Sequence, residues 1–125
     1  MALPPRLAKE IADIRTERQV DVIEEVDWIS VVLPAFALGE GYRLSTSDLL
    51  IRVQRTYPDA GPDMFWLDLD VLLPDGRVPQ AADTIETHHG RQWRRFSWHR
   101  SRWEPSVDNL HGYIEFIRSR LRAQQ

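Results

Sequence analysis

The spacing of apolar residues changes period twice along this chain, and that change restricts its fold more than any other feature. In "RLAKEIADIR", Leu7, Ile11 and Ile14 recur at the three- and four-residue intervals of one helix face. Pro4 and Pro5 stand just ahead, where a helix tolerates proline, so an amphipathic helix is expected over residues 5–17. The period then falls towards two. "VDVIEEVDWISVVLPAFAL" is rich in valine and isoleucine and alternates in part, as a strand does, and "GEGY" closes it as a turn. In "YRLSTSDLLIRVQRTYP", Leu49, Ile51 and Val53 alternate with Arg52 and Gln54, a second strand. "DAGPD" breaks the chain before "MFWLDLDVLL", a third strand with Phe65, Leu67, Leu69 and Val71 on one face, and "PDG" ends it. From residue 77 to 105 no period persists, and the expectation is a long irregular segment with room for one short strand; a loop of that length is usually functional or the sign of an element wrongly assigned. The helical period returns in Val107, Leu110, Ile114, Ile117 and Leu121, with Ser106 as the expected N-cap and Arg118, Arg120 and Arg122 at the end that favours cations. The expected fold is therefore α+β: an N-terminal helix, an antiparallel strand meander, a long active-site-sized segment and a C-terminal helix, in one domain over residues 1–125.

Composition narrows the function classes. With 42% hydrophobic and 28% charged residues, the chain has a globular balance. A net charge of -3 excludes a protein that is basic all over, so any nucleic-acid contact must come from a local patch. There is no cysteine, which removes disulfides, thiolate metal sites and cysteine nucleophiles together. The start, "MALPPRLAKEIADIR", lacks the apolar core of a signal peptide, and no stretch is apolar enough to cross a bilayer; a cytoplasmic location is the expectation. Lys9 is the only lysine beside fifteen arginines, a bias that GC-rich coding explains.

The densest chemistry lies in "GRQWRRFSWHRSRW", residues 90–103, where Arg91, Arg94, Arg95, Arg100 and Arg102 interleave with Trp93, Phe96, Trp98 and Trp103. Arginine and tryptophan are favoured in protein-interface hot spots, and arginines interleaved with rings also suit single-stranded nucleic acid. Ser97 and His99 are the candidate catalytic pair, a hydroxyl that needs a base and an imidazole two residues along. The bland alternative is that Phe96 and Trp98 pack while Ser97 and His99 make local hydrogen bonds. His88 and His89 are adjacent and point to opposite sides of an extended chain, so with His99, Asp83 and Glu86 they give no recognisable metal spacing; neither metal nor cofactor is expected. Glu24, Glu25 and Asp27 read as a solvated acidic face, beside which Trp28 and Phe36 form a candidate exposed apolar spot.

Two strings taken together resemble a known family. "TYPDAGPDMFWLDLDVLLPDG" and "WEPSVDNLHGYIEFIRSRL" are similar to the ubiquitin-conjugating-enzyme (UBC) fold: Tyr57, Pro58 and Pro62 match its tyrosine-proline turn, Trp103 and Pro105 its W-x-P, and "RLAKEIADI" its first helix. Through "MFWLD" and "GRQWRRFSWHRSRWEP" the prokaryotic branch called family E is the nearest fit, over nearly the whole chain. The resemblance implies a component of a bacterial ubiquitin-like protein conjugation system, with a ubiquitin-like protein and its activating enzyme as partners and antiviral defence as a setting. In such enzymes the first helix meets the activating enzyme, which makes Arg6, Lys9 and Arg15 candidates for that contact. The departures are chemical. Where the family's catalytic cysteine belongs, about eight residues before Trp103, stands Arg95, and thioester chemistry is excluded. Where the histidine-proline-asparagine motif belongs stand Leu73, Pro74 and Asp75, and a carboxylate repels a developing oxyanion. What remains is a cysteine-less protein that binds its partners, with an oxyester on Ser97 and His99 as base if it carries the acyl group. Trp93 and Trp103 would then wall the site, and Trp93, Arg94, Arg95, Trp98, Arg100, Arg102 and Trp103 would form the partner-binding segment. The alternatives are a non-catalytic scaffold, or a single-stranded nucleic-acid binder through residues 91–103.

Overall fold

The computed structural model describes residues 3–100 and 102–123. Helix α1 runs Pro5–Arg15, two residues shorter than its apolar period suggests, and turns Leu7, Ile11 and Ile14 inward. The valine-rich stretch that follows forms two strands, β1 (Asp21–Glu24) and β2 (Trp28–Ala37), rather than one. Glu25, Val26 and Asp27 make the reversal, closed by the Glu25 amide on the Trp28 carbonyl at 2.8 Å. β3 (Thr46–Gln54) follows the expected alternation. β4 is only Phe65–Leu67: the chain turns at Asp68, whose carbonyl accepts the Val71 amide.

The segment expected to be irregular contains a β-hairpin, β5 (Thr84–His88) and β6 (Arg91–Phe96). Its two-residue turn, His89 and Gly90, has φ of 56° and 76°, both in the left-handed region that matches the twist of a two-residue hairpin. The second helix, α2, is Leu110–Ala123. Its N-cap is Asn109, not Ser106: the Asn109 Oδ1 accepts the Gly112 amide at 2.8 Å, while the Ser106 hydroxyl bonds Glu104. Val107 lies before the helix and is exposed.

All six strands form one antiparallel sheet in the order β1-β2-β3-β4-β6-β5, so the chain is α+β with a helix at each end. The inserted hairpin packs through β6, which pairs Phe65 with Phe96 and Trp66 with Arg95. Both helices cover one face. Leu7, Ile11 and Ile14 of α1 and Tyr113, Ile114, Ile117 and Leu121 of α2 share a core with Ile29, Val31, Leu49, Ile51, Val53, Phe65, Leu67 and Phe96. Phe36 belongs to this core and is fully buried, so it is no surface spot; Trp28 is half-buried. Among the described residues no helix lies over the other face, which holds a smaller apolar cluster, Leu50, Trp66 and Trp93.

The W-x-P segment is clipped to the tyrosine-proline turn. The Trp103 indole donates to the Pro58 carbonyl at 2.7 Å and lies flat against Gly61, where a Cβ would come within 2.3 Å of the ring. Beneath it the buried Glu10 carboxylate accepts from the Tyr57 hydroxyl and from the Leu110 amide, the latter at 2.8 Å. Burial and this carboxylate together push the Tyr57 phenol far above its ordinary range.

Candidate functional site

Strand alternation sorts the arginine-aromatic segment into two sets. On β6, Trp93 and Arg95 face the uncovered side of the sheet, while Arg94 and Phe96 face the helices. Trp93 is 2% exposed, with its indole donating to the His88 carbonyl, and the Arg91 guanidinium lies 3.9 Å from its ring centre. Trp98 is 3% exposed, wedged edge-on against Phe65 and Phe96 with its indole on the Gln80 carbonyl at 2.7 Å. A partner meeting this segment would touch the guanidiniums before either ring.

Most of those guanidiniums are already engaged. Arg91 pairs with Asp48 and Asp68, Arg94 donates to the Leu69 and Ala82 carbonyls, and Arg100 pairs with Asp108 at 2.8 Å. Arg102, 84% exposed, reaches Glu104 at 3.8 Å. Tied up on carboxylates and carbonyls, the cluster has little left for a phosphate backbone, which counts against a nucleic-acid surface. Arg6 and Arg15 are likewise drawn into the fold, Arg6 onto the Pro105 and Asp108 carbonyls and Arg15 onto that of Val20, whereas Lys9 is exposed.

Arg95, at the position counted back from W-x-P, is the centre of a polar network. Its Nη1 pairs with Glu86 at 2.7 Å, and its Nε donates to the Ser97 hydroxyl at 3.2 Å. Glu86 also accepts from the Trp66 indole at 2.9 Å and meets His88 at 3.0 Å. Burial raises the Glu86 carboxyl, but the hydrogen bonds from His88, Trp66 and Arg95 outweigh it and hold the group below its usual range. Ser97, half-buried, is fixed by its amide on the Ala81 carbonyl at 3.0 Å. His99 points elsewhere: its Nδ1 meets Asp63 at 2.7 Å, both side chains being 59% exposed. Among the described residues no hydrogen bond joins Ser97 to His99. The structure thus gives each its own partner, an arginine for the hydroxyl and a carboxylate for the imidazole.

Asp75 serves a turn. It accepts the Arg77 amide at 3.0 Å and the Arg77 guanidinium at 2.6 Å, contacts that keep its carboxyl below the usual range. Among the described residues no group of histidines and carboxylates is arranged to hold a metal ion. His89 reaches across the sheet to Ser30 at 2.8 Å, close to Glu25, which itself pairs with Arg52 at 3.0 Å. Burial raises the Glu25 carboxyl, and Arg52, His89 and Ser30 more than compensate.

Sequence reasoning passed over Asp63 and Trp66 and treated Glu86 only as a marginal ligand, yet these residues bound an opening on the uncovered face. It is a cavity of about 300 Å³ whose walls include Trp28, Arg52, Asp63, Met64, Trp66 and Glu86. The signal available was the position of Asp63 two residues before β4, but only the β4–β6 pairing brings it beside His99.

A model of prokaryotic E2 family E matches residues 12–124, which take in the last turn of α1, the whole sheet and α2. A search of curated proteins and one of solved structures each returned no match. No helix among the described residues is long and apolar enough to cross a membrane. The W-x-P clip, the tyrosine-proline turn, the helix at each end of an antiparallel sheet and the family match all agree, and the chain belongs to prokaryotic E2 family E, as a member without a cysteine.

Proposed function

We propose that this protein acts in a bacterial ubiquitin-like conjugation system as a cysteine-less E2-like component, engaging a ubiquitin-like protein and its activating enzyme without carrying the acyl group. We place it in the cytoplasm, with antiviral defence as its setting. The observation that carries the reading is Arg95. Where the family's nucleophile belongs, a guanidinium is locked to Glu86 at 2.7 Å and also holds the neighbouring hydroxyl. A serine acting as nucleophile needs a base on its proton, and the Ser97 hydroxyl has a cationic donor instead. Contacts to partners then fall on the exposed parts: Arg102, Lys9 and the rims of Arg94 and Arg100.

A second reading has one observation in its favour. His99 is oriented through Nδ1 by Asp63 at 2.7 Å and stands two residues from Ser97, as a general base with its carboxylate would. On that reading the Ser97 hydroxyl attacks the thioester on the activating enzyme, its proton passes to His99, and the enzyme's thiolate leaves. Arg95 would stabilise the alkoxide as it forms.

Intact-mass spectrometry separates the two. The protein is incubated with ATP, the ubiquitin-like protein and the activating enzyme, then analysed beside Ser97→Ala and His99→Ala. The first reading expects no adduct, and co-elution of the three proteins on gel filtration. A base-labile adduct that disappears in Ser97→Ala overturns it in favour of the oxyester.

A further inference from the structure

We infer that the cleft flanked by Arg18, Arg118 and Arg122, between the end of α1, helix α2 and the β2–β3 turn, is a binding site for a phosphate group. The inference goes beyond the conjugation role and does not depend on it. Arg18 and Arg118 both stack on Phe36, their guanidinium carbons 5.4 and 5.2 Å from its ring centre. Two like charges thus share one ring. Among the described residues the buried Arg18 Nε has no hydrogen-bond partner. A buried donor left unpaired costs free energy that an incoming acceptor recovers, most of all an acceptor that is charged.

Two cavities meet at Arg118, which lines both. One, about 110 Å³, lies between the helices, and its charged and titratable walls are Glu17, Arg18, His111 and Glu115 besides Arg118. The other, about 170 Å³, is walled by Ala37, Leu38, Gly39, Arg118 and Arg122, with no carboxylate in its lining. Both are smaller than a drug-sized pocket, about 300 Å³ and upwards, and suit a compact anion. Glu115 is the competing anion and already pairs with Arg118, while Glu17 is exposed. A cationic ligand would meet three guanidiniums, and an apolar one would leave the Arg18 Nε buried and unpaired.

The fold holds these arginines in place. β2 is irregular at Pro34 and Ala35, where the register with β3 shifts and Ala35 takes φ of 52°. The Pro34 carbonyl accepts the Arg18 Nη2 at 2.9 Å, which anchors the guanidinium at one end. The carbonyls that end α1, which would repel an anion, are covered by the amides of Thr16, Glu17 and Arg18 on Asp13 and Ile14. Attraction to the helix dipole accounts for Arg120 and Arg122 in the last turn of α2, but not for Arg18, which lies outside both helices. Burial, and after it the charge of Arg118, hold the Arg18 guanidinium below its ordinary value, a repulsion that a bound anion would relieve.

The test is a titration with inorganic phosphate at constant ionic strength, chloride making up the balance, followed by the arginine Nε–H resonances of ¹⁵N-labelled protein. A saturable shift of the Arg18 resonance in the millimolar range is expected, with Arg55, whose Nε already bonds the Glu25 and Val26 carbonyls, unmoved. Arg122→Gln, a change at an exposed side chain, should weaken binding about threefold, and Arg18→Gln, read at Arg118, about tenfold. Glu115→Gln removes the competing carboxylate and should tighten binding about threefold, a gain that arginines serving only to pack would not give. Acetate should bind about tenfold more weakly than phosphate. AMP supplies the esterified form: tighter binding than phosphate assigns the site to a phosphoester, and equal or weaker binding assigns it to the free ion. No saturable shift at Arg18, equal binding of acetate, or indifference to both Arg122→Gln and Glu115→Gln would each overturn the inference.

Discussion

Glu10 shows how one side chain can hold three elements. It is a carboxylate on α1, buried, pairing with Arg6 and accepting from Tyr57 after β3 and from the first amide of α2. Glu10→Ala leaves a buried hydroxyl and a buried amide unpaired and should cost about 3 kcal/mol in urea unfolding, whereas Glu10→Gln, which keeps an acceptor, should cost about 1 kcal/mol. Gly61 is the matching case for a residue that must be small. Gly61→Ala would drive a Cβ into the root of the Trp103 indole and should destabilise by about 2 kcal/mol, with Trp103 emission shifting as the ring is lifted. The sequence marked Tyr57, Pro58 and Trp103 through a short motif, but not Glu10, because a glutamate on an amphipathic helix reads as solvent-facing until its partners, up to a hundred residues away, are known.

At the level of elements, the β5–β6 hairpin rests on its turn. Gly90→Val places a branched side chain at φ of 76° with no steric neighbour, so the cost is purely conformational, about 2 kcal/mol, and should appear as faster amide exchange in β5 ahead of β6. Asn109→Ala removes the cap of α2 and should cost about 1 kcal/mol by thermal unfolding, while Ser106→Ala should be near neutral. The two helices, β3 and the α+β class could be read from the sequence because their apolar periods are strong. The hairpin could not. β5 is an edge strand of Thr84, Ile85, Glu86, Thr87 and His88 with no buried face to mark it, and His-Gly is not among the strong turn dipeptides. β6 hides its alternation because Arg94 and Arg95 satisfy carbonyls and a carboxylate inside the fold instead of facing water. The candidate site suffered for the same reason: Ser97 and His99 stand two residues apart in sequence, and only the strand pairing shows that they answer to different partners.

For the molecule as a whole, ionisation should confine stability from both sides. Tyr42, pushed up to about 12 by burial, and Tyr57 and Tyr113, raised further by burial and nearby carboxylates, all keep their protons in the fold. A phenol raised in the folded state contributes stability that is complete below its unfolded value, about 10, and is lost as pH climbs beyond it. Glu25 and Glu86 have the opposite sign, held down in the fold, so their contribution is lost as pH falls through the carboxylate range. Denaturant midpoints should therefore be highest near neutrality and drop at about pH 3 and about pH 11; an alkaline limb that stays flat would contradict the phenol account. The place of β6 in the sheet has a further consequence, for colloidal behaviour. Without the hairpin, the sheet would end at Phe65, Trp66 and Leu67, an apolar strand with open amides and carbonyls, the kind of edge that recruits other chains into aggregates. With it, the terminal strand offers threonines, Glu86 and His88 around one half-exposed isoleucine. What occupies the place of an active-site loop thus also acts as a guard against self-association, and shortening it to resemble a catalytic relative would be expected to yield inclusion bodies before it yielded an enzyme.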